Sequence, residues 1–109
     1  MSTNTFWRTP RPIYQVQRYD DALALARRMA EERGESVAVV ERPDLWDGAR
    51  TYTGHDAVAY GHALALGVAP ERIRTWMHPH GTPPISDARM TALYAADLAA
   101  RREREGVAA

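Results

Sequence analysis

The sequence predicts an α+β fold, with a small β-α-β-β amino-terminal half followed by a winged helix-turn-helix. Two observations support this prediction. A helical pattern at residues 21–33 precedes a valine-rich segment, which is typical of a strand packed against a helix. Residues 57–70 carry no Asp, Glu or Arg and precede a short arginine-bearing segment. We therefore expect two units. Residues 1–52 form a structural or dimerising half with a flexible N-terminal arm, and residues 53–109 form a winged helix-turn-helix with a C-terminal helix.

The first strand and helix follow from local patterns. Residues 13–19 alternate apolar and polar side chains, which predicts a strand. Asp20 is typical of a helix N-cap. Gly34 suits the left-handed residue that ends a helix, so the predicted helix spans residues 21–33.

The next two strands are predicted on either side of a turn. Residues 36–41 are β-branched and apolar enough for a central strand, which Pro43 is expected to end. The Asp47-Gly48 pair is typical of a tight turn. A short third strand is therefore expected at residues 49–52.

The second half carries a pattern for two helices joined by a tight turn. Thr53 and Asp56 fit a capping box at the start of the first helix. Gly67 is expected at positive φ in the turn, and Pro70 suits the first position of the second helix, residues 70–78. The predicted buried side of that helix consists of Ile73, Trp76 and Met77. Two such helices, the second of them polar, are typical of a helix-turn-helix that presents side chains to base edges.

Residues 63–76 resemble the helix-turn-helix of MerR-like and excisionase-like winged proteins of actinobacteria and their phages. The residues that fall in register are Ala63, Leu66, Gly67, Val68, Pro70, Ile73, Arg74 and Trp76. The resemblance implies a wing that begins at residues 80–84 and includes a strand at residues 90–94. Helix propensity alone predicts one long helix over residues 87–105, capped by Ser86. Between these alternatives we expect the wing.

The predicted function is sequence-specific binding of double-stranded DNA, as a transcriptional regulator or an excisionase-like accessory factor. Helix 70–78 would enter the major groove, with Arg74 reaching guanine and Arg72 a phosphate. The predicted DNA-contacting residues are Glu71, Arg72, Arg74, Thr75, His78 and Arg89. The alternative function is a non-catalytic phage or plasmid adaptor that binds and modulates a host protein.

Charge composition constrains both functions. The 14 basic residues, all arginine, balance 14 acidic ones, so the net charge is zero. Phosphate neutralisation supplies most non-specific affinity for DNA, and DNA binding therefore requires these charges to be sorted by face. Besides double-stranded DNA, two further partners are left as alternatives: a second copy of the chain, in a homodimer, and another protein.

The sequence contains no pattern typical of an enzyme, of a metal or cofactor site, or of a membrane span. No serine has the surroundings of a nucleophile and no glycine-rich phosphate loop occurs, so neither catalytic residues nor an enzyme is predicted. Cysteine is absent and the four histidines have no accompanying carboxylate pattern, so no metal and no cofactor are expected. His62 is expected to be a hydrogen-bonded core residue. Without a long apolar segment we expect no membrane span and a cytoplasmic location.

Overall fold

The structure, a computed structural model, describes residues 18–46 and 51–108. Three strands form one antiparallel sheet in the order β2-β1-β3. Helix α1 packs on one face of the sheet, and α2 and α3 pack on the other. In chain order the elements are α1 (Tyr19–Arg33), β1 (Val37–Trp46), β2 (Thr51–Ala59), α2 (Tyr60–Leu66), a 3-10 turn (Pro70–Arg72), β3 (Ile73–Met77) and α3 (Asp87–Ala108).

Strand β1 is central because its first residues are apolar on both sides. Val37 and Val39 face α1, while Ala38 and Val40 face α2 and α3. None of the four is more than 5% exposed. A strand covered on both faces has a continuous apolar segment instead of an alternating one, and this confirms the prediction of a central strand at residues 36–41.

Pro43 does not end this strand, contrary to the prediction. Strand β1 continues to Trp46, and its register with β2 shifts between Arg42 and Leu45. A proline cannot donate a hydrogen bond to a neighbouring strand, and a local irregularity in register is where a strand accommodates one.

Helix α1 lies close to the sheet through its alanines. Ala22, Ala26 and Ala30 recur every fourth residue and are fully buried against β1 and β2. The helix ends as predicted at Gly34, which has φ 63° and donates its N–H to the carbonyl of Ala30. It begins slightly before the predicted residue 21, at Tyr19.

The predicted helix-turn-helix is not formed. Residues 53–59 belong to strand β2, so α2 has only seven residues. The segment predicted as a recognition helix, residues 70–78, is a three-residue 3-10 turn followed by β3. The reason is tertiary: residues 73–77 include β-branched and aromatic side chains, and pairing with the apolar β1 outweighs the helical propensity of so short a segment.

Two further features of the predicted fold are wrong. Thr53 and Asp56 do not form a capping box, because both lie in β2. The described elements follow the order α-β-β-α-β-α, so the β-α-β-β half is also corrected. Residues 52 and 53, on either side of the predicted boundary between two units, both lie in β2, and the division into two units stays a prediction. The predicted N-terminal arm, residues 13–17 of the predicted first strand and the Asp47-Gly48 turn lie outside the described residues.

The expected wing is replaced by the long helix that propensity predicts. Residues 90–94 lie within α3. Ser86 caps this helix, since its Oγ accepts the backbone N–H of Arg89 at 3.1 Å. Tyr94 and Leu98, four residues apart, bury one side of α3 against the sheet. No helix within residues 18–46 and 51–108 combines the length and the apolar character that crossing a membrane requires.

The close approach of α1 to the sheet leaves little room for a larger side chain at Ala26. Ala26→Leu should lower the free energy of unfolding by about 1–3 kcal/mol, because the larger side chain overpacks a completely buried site. Ala24→Leu, on the exposed side of the same helix, is the control and should change it by less than about 0.5 kcal/mol. Urea unfolding of both variants measures the difference. Equal unfolding midpoints would mean that α1 does not pack against the sheet at Ala26.

Candidate binding cleft

A cleft of about 550 Å³ opens on the sheet face that carries α2 and α3. This volume is within the range of about 300–1,000 Å³ that is typical of ligand sites. The sheet side of the cleft consists of Val40, Glu41, Arg42, Asp56 and Val58. The opposite wall consists of Leu66, Gly67, Val68, Ala69 and Arg72.

The wall takes its shape from the end of α2. Gly67 has φ 71°, as the sequence predicts for a glycine in a turn, although it leads to a 3-10 turn and not to a second helix. The N–H of Gly67 bonds to the carbonyl of Leu64 at 3.2 Å, and the N–H of Val68 bonds to that of Ala63 at 3.1 Å. These bonds fold the chain sharply back at the end of α2.

Tyr94 fastens this wall to α3. Its side chain is fully buried, and its hydroxyl donates to the carbonyl of Val68 at 2.7 Å, with the carbonyl of Ala63 at 3.1 Å. Burial raises the pKa of Tyr94 above its usual value, an effect that the charge of Arg102 partly opposes. The hydroxyl therefore keeps its proton and stays a donor at neutral pH.

Aromatic rings fill the space between the sheet and the two helices. The ring centroid of Trp76 lies 5.8 Å from those of Tyr60 and Tyr94. Trp76 is 4% exposed, which confirms its predicted burial, and its Nε1 donates to Oγ1 of Thr91 at 3.0 Å. The Tyr60 hydroxyl donates to Asp97 and thereby links α2 to α3 a second time. Burial and this bond raise the pKa of Tyr60.

The rim of the cleft carries charges of both signs. Arg42 Nη1 lies 2.7 Å from Asp56 Oδ2, and this pair joins β1 to β2. Arg74 Nη1 lies 3.4 Å from Glu41 Oε2. Partly exposed ion pairs of this kind contribute little to stability, at most about 1 kcal/mol each. Their consequence for the cleft is electrostatic, because guanidinium and carboxylate groups lie side by side at its rim.

The structure scatters the six residues predicted to contact DNA. They occupy the 3-10 turn (Glu71, Arg72), strand β3 (Arg74, Thr75), the segment after β3 (His78) and the first turn of α3 (Arg89). Arg72 lines the cleft and Arg74 reaches its rim through Glu41. No single helical face brings the six together.

Thr75 and His78, two of the six, form hydrogen bonds that hold β3 in the fold. Thr75 Oγ1 donates to Asp87 Oδ2 at 2.7 Å, and the N–H of Trp76 donates to Asp87 Oδ1 at 3.2 Å, so the start of α3 covers the outer edge of β3. His78 Nδ1 lies 2.8 Å from Ser36 Oγ, which ties the end of β3 to the start of β1.

Neither the core histidine nor the sheet side of the cleft was predicted correctly from the sequence. His62 is exposed, so its predicted place in the core is wrong. Sequence reasoning missed Val40, Arg42, Asp56 and Val58 as members of one site, because they meet only through the register of β1 and β2. Among the described residues, no three His, Cys, Asp or Glu side chains are grouped as a metal site requires.

The chain was compared with known proteins in three ways. No model of a protein family matches it, and neither a curated protein nor a solved structure does. The resemblance to MerR-like and excisionase-like proteins gains no support from these comparisons. The cleft is therefore the feature on which a function can be proposed.

Removal of one hydroxyl tests how the wall is held. Tyr94→Phe should lower the free energy of unfolding by about 1–2 kcal/mol, because the carbonyl of Val68 loses the hydroxyl donor and the carbonyl of Ala63 keeps only its backbone donors. Hydrogen exchange should also accelerate more at the amides of Gly67 and Val68 than at those of α1, which packs on the other face of the sheet. Equal acceleration at both places would show that Tyr94 does not specifically hold the wall.

Proposed function

We propose that this chain is a non-catalytic binding protein that holds a segment of a protein partner in the cleft. The observation that carries the proposal is Leu66, which is 62% exposed at the wall of the cleft, opposite the half-buried sheet residue Val58. An exposed apolar side chain at a concave site is stabilised when a partner's apolar side chain covers it. The proposal keeps two predictions made from the sequence, a protein partner and a cytoplasmic location.

The mixed charge of the rim favours a peptide over a nucleic acid. Glu41 and Asp56 place two carboxylates at the cleft, where they would repel phosphates. Arg42 already pairs with Asp56, so its charge is partly compensated. A peptide carries charges of both signs and can complement such a rim, whereas DNA requires a basic surface and the chain has no net charge.

The composition of the cleft also supports a non-catalytic role. Of the described residues that line it, none is Ser, Thr, Cys, Lys or His, the side chains that most often act as nucleophiles or bases. Its two carboxylates, Glu41 and Asp56, each pair with an arginine. The apolar and charged side chains that line the cleft are suited to binding a partner.

DNA binding stays a prediction, although the helix expected to enter the major groove is not formed. The predicted contacts would have to come from a turn, a strand and the start of α3 together. Arg74 also lies beside Glu41, which would compete with a phosphate for its guanidinium.

Selection from a random peptide library against the folded protein tests the proposal. Leu66→Asp should weaken binding of the selected peptides at least about tenfold, since it places a charge where an apolar group would be covered. Leu93→Asp is the matched control: Leu93 is 46% exposed but lies on α3 and not in the cleft, so binding should not change. Fluorescence anisotropy measures both variants.

Two results would count against the cleft. Peptides that bind Leu66→Asp and wild-type protein equally well would place the binding surface elsewhere. A parallel selection from random DNA duplexes provides the other outcome. If wild-type protein and Leu66→Asp enrich the same duplex and no peptide is enriched, the protein binds DNA and not a peptide.

A further inference from the structure

We infer that the partner segment binds in an extended conformation, as a fourth strand of the sheet along the outer edge of β2. This inference rests on the proposed function and specifies how the backbone of the partner is recognised. It follows from the backbone groups of β2 that point away from β1, and from a difference between the two outer edges of the sheet.

The register of β2 decides which of its backbone groups point outward. The N–H of Tyr60, directly after the strand, bonds to the carbonyl of Ser36 at 2.9 Å, so these two residues form a hydrogen-bonded pair. Hydrogen-bonded pairs alternate with non-bonded pairs along an antiparallel ladder. Val58 therefore directs its N–H and carbonyl to β1, whereas Ala57 and His55 direct theirs to the outer edge.

The outward groups of His55 and Ala57 have no partner in the part of the chain that the structure describes. No hydrogen bond joins the N–H or the carbonyl of either residue to another residue within the ranges 18–46 and 51–108. Unpaired N–H and carbonyl groups along the edge of a sheet are a template for pairing with another strand.

The opposite edge of the sheet, on β3, is covered. The outward N–H of Trp76 donates to Asp87 at the start of α3, and so does the hydroxyl of Thr75. Sheet edges are commonly protected by such cover, by proline or by charged side chains. Strand β2 contains neither proline nor Lys or Arg, and its one carboxylate, Asp56, pairs with Arg42. The fold therefore protects one edge and leaves the other available.

A strand added to β2 also places side chains in the cleft. Neighbouring strands lie about 4.8 Å apart, and every second side chain points to the same face of a sheet. Alternate side chains of the added strand therefore lie beside Asp56 and Val58, on the sheet face that bears the cleft. An apolar side chain opposite Val58 can cover Leu66, while a polar one two residues away meets Asp56 and Arg42.

Only an extended peptide offers both kinds of contact. A helix bonds its own N–H and carbonyl groups internally, so its backbone cannot pair with the edge of β2. A duplex of DNA has no backbone that continues a sheet, and its phosphates would meet Asp56. Backbone pairing and the cover of Leu66 together therefore specify a strand with an apolar side chain opposite Val58.

Backbone N-methylation of the tightest library-selected peptide tests the inference. A series of peptides is prepared, each methylated at one amide. In an added strand, amides that point to β2 alternate with amides that point to water. Methylation should weaken binding at least about tenfold at every second position, and by less than about twofold at the positions between, which are the controls. Fluorescence anisotropy measures each peptide.

A substitution in β2 tests the same contact from the side of the protein. Ala57→Pro removes an outward N–H and no bond to β1, and it should weaken binding of the unmethylated peptide at least about tenfold. Ala57→Gly keeps the N–H and is the control, with binding expected within about twofold of wild type. Urea unfolding verifies that both variants are folded, and the methylation series decides by itself if Ala57→Pro is not.

Hydrogen exchange of the complex gives an independent readout. Bound peptide should slow exchange at the amides of His55 and Ala57 at least about tenfold, because each gains a hydrogen-bond acceptor. The amide of Val58 already bonds to β1 and should change less.

Three results would overturn the inference. If the peptide binds but methylation has no alternating effect and Ala57→Pro binds it normally, the segment lies in the cleft in another conformation, and the proposed function stands. If wild-type protein sediments as a dimer and Ala57→Pro as a monomer, a second copy of the chain occupies the edge of β2. If the library yields no peptide, the proposed function fails and the inference fails with it.

Discussion

The position of the cleft depends on one buried hydroxyl. Tyr94 reaches from α3 to the carbonyls of Val68 and Ala63, in a region where the surrounding side chains are apolar. A buried carbonyl without a donor is strongly disfavoured, so the turn after α2 is most stable where Tyr94 can reach it. The same contact sets the distance between the wall of the cleft and strands β1 and β2. Packing of α3, the conformation at Gly67 and the shape of the cleft are therefore parts of one arrangement.

The two faces of the sheet differ in the size of the side chains that cover them. On one face, alanines let α1 approach β1 and β2 closely. On the other, the rings of Trp76, Tyr60 and Tyr94 stand between the sheet and its helices. The separation of packed elements follows the size of the side chains between them. Beyond the rings, where β1 continues to Arg42, the space between sheet and helices is open, and the cleft occupies it.

Patterns of a few neighbouring residues predict correctly the turns, the helix caps and the buried strand, which depend mainly on the residues themselves. Gly34, Gly67 and Ser86 act as the turn and capping residues that their types indicate, and residues 37–40 form the buried strand that their valines predict. Local patterns assign residues 73–77 to a helix, because this short mixture of apolar and polar residues fits both periodicities, and only pairing with β1 decides between them. The cleft was not predictable for a related reason. Arg42 and Asp56 are brought together by strand register, which no local pattern specifies.

The central claim is that the cleft is the surface this protein uses to bind its partner. An NMR titration of isotope-labelled protein with a library-selected peptide tests it most directly. The account predicts chemical-shift changes at the amides of Val40, Val58 and Val68 and at the methyl groups of Leu66, with none at Ala26 on the opposite face of the sheet. Changes centred on α1 or on the exposed side of α3, with the cleft residues unmoved, would contradict it.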